Sequence, residues 1–260
     1  MYSNPPKKRL GQHFLKDPNT ARIVVEGVTG DDVVLEVGPG RGFLTTFLAE
    51  RAKLVYAIEL DPDVTAELRR HVRSFDNVIV HEADALRFDY ESLRPAPNKL
   101  VANLPYNVAS PLVLRLLEEV QGLHTLRFMV QLEVARRMAA SRGTKDYGAY
   151  AVLVQLLAEV EIAHRVSPNV FDPPPRVYSA VVEMKRRRPS LRLDEFQVVK
   201  ELVLAAFKSR RKRLLNNLPG GSRPAASRAL EFVGYGPGVR AEELAPEDFV
   251  ALYRALSGET

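Results

Sequence analysis

Apolar residues in this chain follow two rhythms, and the rhythm changes along its length. From residue 31, short unbroken apolar runs alternate with segments whose apolar side chains recur every three to four positions. Val33-Val34-Leu35-Glu36-Val37, Leu54-Val55-Tyr56-Ala57-Ile58, Val78-Ile79-Val80, Leu100-Val101-Ala102 and Phe128-Met129-Val130 are runs of the first kind. Their β-branched and large apolar residues, with almost no polar interruption, predict strands buried on both faces. Residues 44–52, a segment opening at Asp61-Pro62, and residues 111–120 and 133–140 carry the helical period between them. Asp61 is placed to accept from the free N–H groups that open a helix, and Pro62 suits the first helical position because no donor is needed there. Alternation of this kind predicts a parallel sheet covered by helices on both faces. Two further runs, residues 160–165 and 178–185, are separated only by a loop with Pro173-Pro174-Pro175, which predicts an antiparallel pair at the end of the sheet.

Beyond Arg186-Arg187-Arg188-Pro189 the strand rhythm stops. Phe196, Val199, Val203, Leu204 and Phe207 share a helical spacing, as do Ala226, Leu230 and Val233, and then Phe249, Leu252 and Leu256. The expected organisation is an α/β domain over residues 1–188 and a small all-helical domain over residues 189–260.

Composition leaves this picture standing. A chain of 260 residues, 46% of them hydrophobic, holds enough apolar material for one large domain and one small one. It has no cysteine, so disulfides and thiolate metal sites are excluded and a reducing compartment is expected. The histidines, His13, His71, His81, His124 and His164, lack the spacing of an H-x3-H or H-E-x-x-H site, and no metal is expected. MYSNPPKKRLGQHF carries charge but not the apolar centre of a secretory signal. No run approaches the roughly 18 apolar residues of a membrane span. The expectation is a soluble, cytoplasmic, monomeric protein with no membrane partner.

Charge changes the picture more. Through Lys185 there are 23 Lys and Arg against 23 Asp and Glu, and the remaining residues hold 14 against 9, so the net charge of +5 lies in the segment from Arg186 onward. RRRPSLR and KSRRKR (residues 208–213) are its dense clusters. A basic excess gathered toward one end of the chain fits a polyanion such as nucleic acid. The plainer alternative is a set of cations complementing helix C-termini.

The first predicted strand runs into Gly38-Pro39-Gly40-Arg41-Gly42, where glycines let backbone and ligand approach closely. The second ends in Glu59, 21 residues after Gly38, where a carboxylate accepts from ribose hydroxyls. The third leads into Glu82-Ala83-Asp84-Ala85. In a doubly wound sheet these strand ends meet at one cleft. The glycine spacing differs from the dinucleotide G-x-G-x-x-G pattern, and Asp84 suits an adenine amino group better than a second nucleotide. Glu36 adds a further carboxylate, which favours S-adenosylmethionine with its sulfonium and ammonium charges.

The fourth strand ends in Asn103-Leu104-Pro105-Tyr106 beside that cleft. An adenine N6 is a poor nucleophile because its lone pair is conjugated with the ring. Acceptance of its two hydrogens by the Asn103 side-chain oxygen and the Pro105 carbonyl would free that lone pair for attack on a methyl group. Tyr106 would stack on the extruded base. Phe171, in NVFDPPPRV, would cover its other face; the alternative is that Phe171 is a core anchor.

The motifs KKRLGQHFLKD (7–17), LEVGPGRG (35–42), IELD (58–61), EADAL (82–86), NLPYNVASPL (103–112), VQLEVARRM (130–138), FDPPPRVYSAVV (171–182) and AAFKSRRKRLLNNL (205–218) run almost end to end. With them the chain resembles the ribosomal RNA adenine N6-dimethyltransferases of the KsgA type. The resemblance implies a Rossmann-like class I methyltransferase sheet, S-adenosylmethionine as cofactor, and dimethylation of two adjacent adenosines in the 3′-terminal hairpin of small-subunit rRNA, with the assembling small ribosomal subunit as partner. It implies that His13, Leu15, Gly38, Glu59, Asp84 and Asn103 line the cofactor site, and that Asn103, Pro105, Tyr106 and Phe171 hold the adenine. Gln12 would orient the N-terminal segment. His13 stands where the family often has asparagine, and Leu132 where lysine is usual. The competing readings are an Erm-type enzyme acting on large-subunit rRNA, a non-catalytic ribosome-assembly factor on the same fold and, more distantly, a dinucleotide oxidoreductase.

Overall fold

A computed structural model describes residues 12–188, 191–218 and 223–258. Residues 7–11 of the N-terminal motif and Pro189 at the predicted domain break lie outside them. The chain runs through β1 (Phe14–Leu15), α1 (Pro18–Val24), β2 (Val33–Val37), α2 (Phe43–Ala49), β3 (Leu54–Glu59), α3 (Pro62–His71), β4 (Val78–Glu82), β5 (Lys99–Asn103) and α4 (Ala109–Glu119). It continues through β6 (Thr125–Gln131), α5 (Leu132–Met138), α6 (Ala149–Leu157), β7 (Ala158–Val166), β8 (Phe171–Asp172), β9 (Ser179–Arg186), α7 (Leu193–Ala206), α8 (Arg223–Phe232) and α9 (Pro246–Ser257).

Seven strands form one sheet in the order β4-β3-β2-β5-β6-β9-β7. The first five are parallel, and β9 joins antiparallel to β6 from Ser179 opposite Gln131 to Lys185 opposite Thr125. Every residue of β2 is buried, as expected for a central strand covered on both faces. Chain order reverses beside β2, with β3 on one side and β5 on the other, so the carboxyl ends of these strands frame a crevice. The Asp61 side chain caps α3 by accepting from the Asp63 N–H at 3.2 Å, and Pro62 occupies the first turn. A separate two-stranded ribbon pairs β1 with β8, Leu15 opposite Phe171, and ties the N-terminal segment to the proline loop.

The described residues divide into two compact units. One holds the chain up to Ala135 together with Glu159–Arg186, and the other holds Arg136–Ala158 together with the chain from Arg187. The expected division at 188/189 separates the sheet from α7, α8 and α9, but the helical unit also takes in α6. The reason is visible in AYAVLVQLL, which is apolar on nearly every side and so needs cover all round. It packs against α7 and α9 inside the helical unit, where the buried Tyr147 also donates to the Leu244 carbonyl at 2.8 Å. Among the described residues no helix is long and apolar enough to cross a membrane.

Candidate active site

The crevice at the carboxyl ends of β2, β3 and β5 is a cavity of about 330 Å³. His13, Leu15, Gly38, Glu59, Asp84, Asn103, Pro105 and Tyr106 all line it, and Phe171 does not. The glycine turn after β2 shapes its floor. Gly38 and Gly40 have φ of +68° and +57°, in the left-handed region that side chains disfavour. Space forbids a side chain as well: a Cβ on Gly38 would meet the Pro105 ring at 2.9 Å, and one on Gly40 the Phe14 ring at 2.8 Å. The glycines therefore allow the N-terminal segment and the NLPY turn to close on the cavity from two directions.

Glu59 is buried, and its carboxylate accepts from the backbone N–H of Gly40 at 3.1 Å, Leu60 at 2.9 Å and Asp61 at 3.0 Å. Burial pushes its carboxyl up, the three N–H groups oppose that, and the charge of Asp61 adds to it. Glu36 is more extreme. Burial raises its carboxyl to about 8, with the Thr45 hydroxyl opposing and the charge of Glu59 contributing, and its Oε2 has no hydrogen-bond partner. Asp84 lies at the more open rim, where one oxygen accepts from the Leu86 N–H at 2.9 Å.

Asn103 ends β5 and donates Nδ2 to the His13 carbonyl at 3.1 Å. Its Oδ1 is buried without a partner. Since a carbonyl can only accept, the His13 contact assigns the nitrogen and leaves the oxygen as the unbonded end of the amide. An unmade bond at a buried amide oxygen costs about 1–3 kcal/mol, so such an atom calls for an explanation. The Tyr106 hydroxyl lies 2.6 Å from Ser179 Oγ, and burial raises the phenol against that hydrogen bond, so it stays neutral. One face of the Tyr106 ring stacks on His13, with centroids 5.5 Å apart and planes 30° from parallel. His13 Nδ1 in turn donates to the Pro173 carbonyl at 2.7 Å, which fixes its tautomer. Gln12 donates to Asp61 Oδ2 at 3.2 Å, which anchors the same segment to the end of β3.

Two expected roles are corrected. Phe171 is 0% exposed and belongs to the core cluster with Leu15, Met129, Val166 and Val181, because the pairing of β1 with β8 turns it inward. It is the core anchor rather than a wall of the cavity. The Pro105 carbonyl accepts from the N–H groups of Val108 at 3.2 Å and Ala109 at 3.1 Å, so it serves the start of α4. The Leu104 carbonyl, one residue earlier, accepts no hydrogen bond among the described residues, and Leu104 lines the cavity.

The sequence also passed over several lining residues. Leu60, half-exposed and next to Glu59, and Leu86, two residues after Asp84, add apolar side chains to the lining. An apolar residue following each acidic strand end was the available signal. Phe14 lies under the Arg41 guanidinium, 4.4 Å from the ring centroid, and Arg41 also faces Glu67 at 3.6 Å.

The family model described as ribosomal RNA adenine dimethylase matches residues 4–257. The chain is 70% identical over 252 residues to a ribosomal RNA small subunit methyltransferase A of Rubrobacter xylanophilus, covering 97% of this chain and 95% of that one. Among solved structures it is similar to the 23S rRNA methyltransferase ErmE, with 29% identity, a TM-score of 0.73, and 94% and 99% of the two chains covered. It shares its fold with a dimethyladenosine transferase from Plasmodium falciparum, with 24% identity, a TM-score of 0.78, and 92% and 96% covered.

Proposed function

The chain belongs to the ribosomal RNA adenine dimethylase family, and from that premise we propose that it dimethylates N6 of two adjacent adenosines in the 3′-terminal hairpin of small-subunit rRNA, acting as a monomer in the cytoplasm. The observation that carries this reading is Asn103, which lines a cavity rich in carboxylates and whose buried amide oxygen has no hydrogen-bond partner. A non-catalytic factor would have no use for an unsatisfied amide oxygen in that position.

The cavity fits S-adenosylmethionine. The glycine turn leaves free the space that a Cβ would fill, and Glu36, Glu59 and Asp84 supply negative charge and acceptors. Glu59 would hold ribose hydroxyls, Asp84 the adenine amino group, and Leu60 and Leu86 the faces of the adenine ring. Glu36, once ionised, would offset the cofactor's positive charge. S-adenosylmethionine, when bound, supplies a methyl group on a positively charged sulfur.

The remaining chemistry belongs to the turn. Asn103 Oδ1 accepts one N6 hydrogen and the Leu104 carbonyl the other, which withdraws the nitrogen lone pair from conjugation and aims it. Tyr106 stacks on the base with the ring face that His13 leaves free, and Ser179 holds the hydroxyl end of that ring. Such positioning by fixed dipoles needs no general base for the attack itself.

The test is transfer of radiolabel from S-adenosylmethionine to small subunits that lack the modification. Label in two neighbouring adenosines of the small-subunit RNA is expected. Label in large-subunit RNA would instead establish the Erm-type activity of the structurally similar ErmE.

A further inference from the structure

Beside the cavity lies a second aromatic surface that the proposed chemistry leaves unused. Tyr178 directly precedes Ser179, the residue whose hydroxyl meets Tyr106 at 2.6 Å. Its ring is 45% exposed, and the Arg165 guanidinium lies over one face, 3.9 Å from the ring centroid. Arg165 is the penultimate residue of β7, and Tyr178 adjoins the first residue of β9, which pairs with Gln131 at the carboxyl end of β6. Both therefore sit at the edge of the sheet where Asn103 ends β5. Arg176 and Val177, just before Tyr178, are exposed too. Neither Arg165 nor Arg176 pairs with a carboxylate among the described residues.

A tyrosine on an ordinary surface samples several rotamers. Here the guanidinium stacked on one face limits that freedom, and the Leu132 N–H fixes the backbone by donating to the Tyr178 carbonyl at 2.9 Å. The result is a held ring with an unused face, flanked by unpaired cations. Extruding an adenosine into the cavity strips its neighbour of one stacking partner. Tyr178 is bonded to Ser179, whose hydroxyl meets Tyr106 in the cavity wall, and this shared backbone ties the exposed ring to the site where the base is extruded.

We propose that Tyr178, backed by Arg165, is a stacking subsite for the nucleobase next to the adenosine held in the cavity, with Arg176 facing the phosphate between them. This rests on the reading of the cavity as an RNA adenosine site. Stacking accepts any base, so the subsite adds affinity and register without reading sequence. When two adjacent adenosines are modified in turn, the one not in the cavity would occupy it.

The test is a double-mutant cycle between protein and RNA. Unmethylated small subunits are rebuilt by ligation with a synthetic 3′ segment that carries either the normal nucleotide or an abasic one beside the target adenosine. Tyr178→Ala is expected to weaken binding of the normal particle roughly 5- to 100-fold, and Tyr178→Trp to retain it. The abasic nucleotide should weaken wild-type binding by a similar factor and cost the alanine variant nothing further. Affinity for S-adenosylhomocysteine, measured by calorimetry, should be unchanged, since Tyr178 does not line the cavity. Independent, additive losses would overturn the subsite. So would a loss in the alanine variant that ignores the abasic change, which would give the surface to a ribosomal protein. If wild-type protein methylates no small subunit, the proposed function fails; intact methylation with no coupling removes the subsite alone.

Discussion

Asn103 donates its amide nitrogen to the carbonyl of His13 at 3.1 Å, across 90 residues of chain. That contact converts a side chain with two interchangeable ends into one with a defined free oxygen. It also couples the N-terminal segment to the NLPY turn, so closing one orients the other.

Replacing Asn103 with alanine removes an acceptor aimed at the reacting nitrogen. Methyl transfer is expected to fall about 100- to 1,000-fold, the usual effect of losing one such preorganised group. RNA affinity should change only a few-fold, because phosphate contacts elsewhere supply most of it. Single-turnover kinetics beside equilibrium binding separates the two. Equal losses in both would make Asn103 a structural residue.

Gly38 tests the cradle. Alanine there would bring Cβ to 2.9 Å from the Pro105 ring while holding φ at +68°. The turn and the target site would have to move apart, so cofactor affinity and transfer should both fall more than tenfold, with a stability loss of about 1–3 kcal/mol. Gly27 is the control. Its φ is +78° but nothing lies within 4 Å of its Cβ position, so Gly27→Ala should cost only backbone strain and leave activity intact. Calorimetry and thermal melts on both variants check the contrast, and similar losses would show that strain alone explains Gly38.

Glu36 makes stability depend on pH. Burial keeps its carboxyl protonated in the fold to about 8, whereas the unfolded group titrates near 4.5. Between those values the unfolded chain binds fewer protons than the folded one, so stability is fullest below 4.5 and is lost as pH rises toward 8. Glu36→Gln should raise the melting temperature most near pH 8 and hardly at all near pH 4. A residual slope is expected from Glu59, which burial also raises. A cationic ligand favours the carboxylate, so cofactor binding to wild type near pH 7 should release a proton that the variant does not. Calorimetry in buffers of different ionisation heat measures it, and equal proton release in both proteins would assign the proton elsewhere.

What could be read from the sequence was what depends on neighbouring residues. Asp61 and Pro62 announce their helix because capping is local, and the glycine turn and the acidic strand ends line up because the sheet repeats one unit. One departure is long-range and two are local. Nothing near Phe171 shows that it will pair with Leu15, so a ring beside three prolines reads as presented to a ligand when it is in fact sealed into the core. The Pro105 carbonyl turns on two residues of helix boundary. A helix from residue 111 would leave it free, but α4 begins at Ala109 and claims it. Segment 149–157 carries no helical signal because a helix apolar on every side has no period.

The basic segment around residue 210 divides into structural and solvent-facing cations, and the two should respond differently to charge removal. Arg210 reaches Glu242 at 3.0 Å and the carbonyls of Lys145 at 2.7 Å and Thr144 at 3.4 Å, all within the helical unit. Arg211, Lys212 and Arg213 are exposed and form no ion pair among the described residues. Arg210→Ala should therefore destabilise the protein by about 1 kcal/mol, allowing for solvent screening, and change RNA affinity little. Glutamates at 211, 212 and 213 should leave the melting temperature nearly unchanged. They should lower RNA affinity and reduce the slope of log K against log salt by about 2–3, as expected when three phosphate contacts are lost. Filter binding over a salt series with both variants measures this. An unchanged slope in the triple variant would mean that the charge excess of the helical unit does not face RNA, and that its binding surface lies elsewhere.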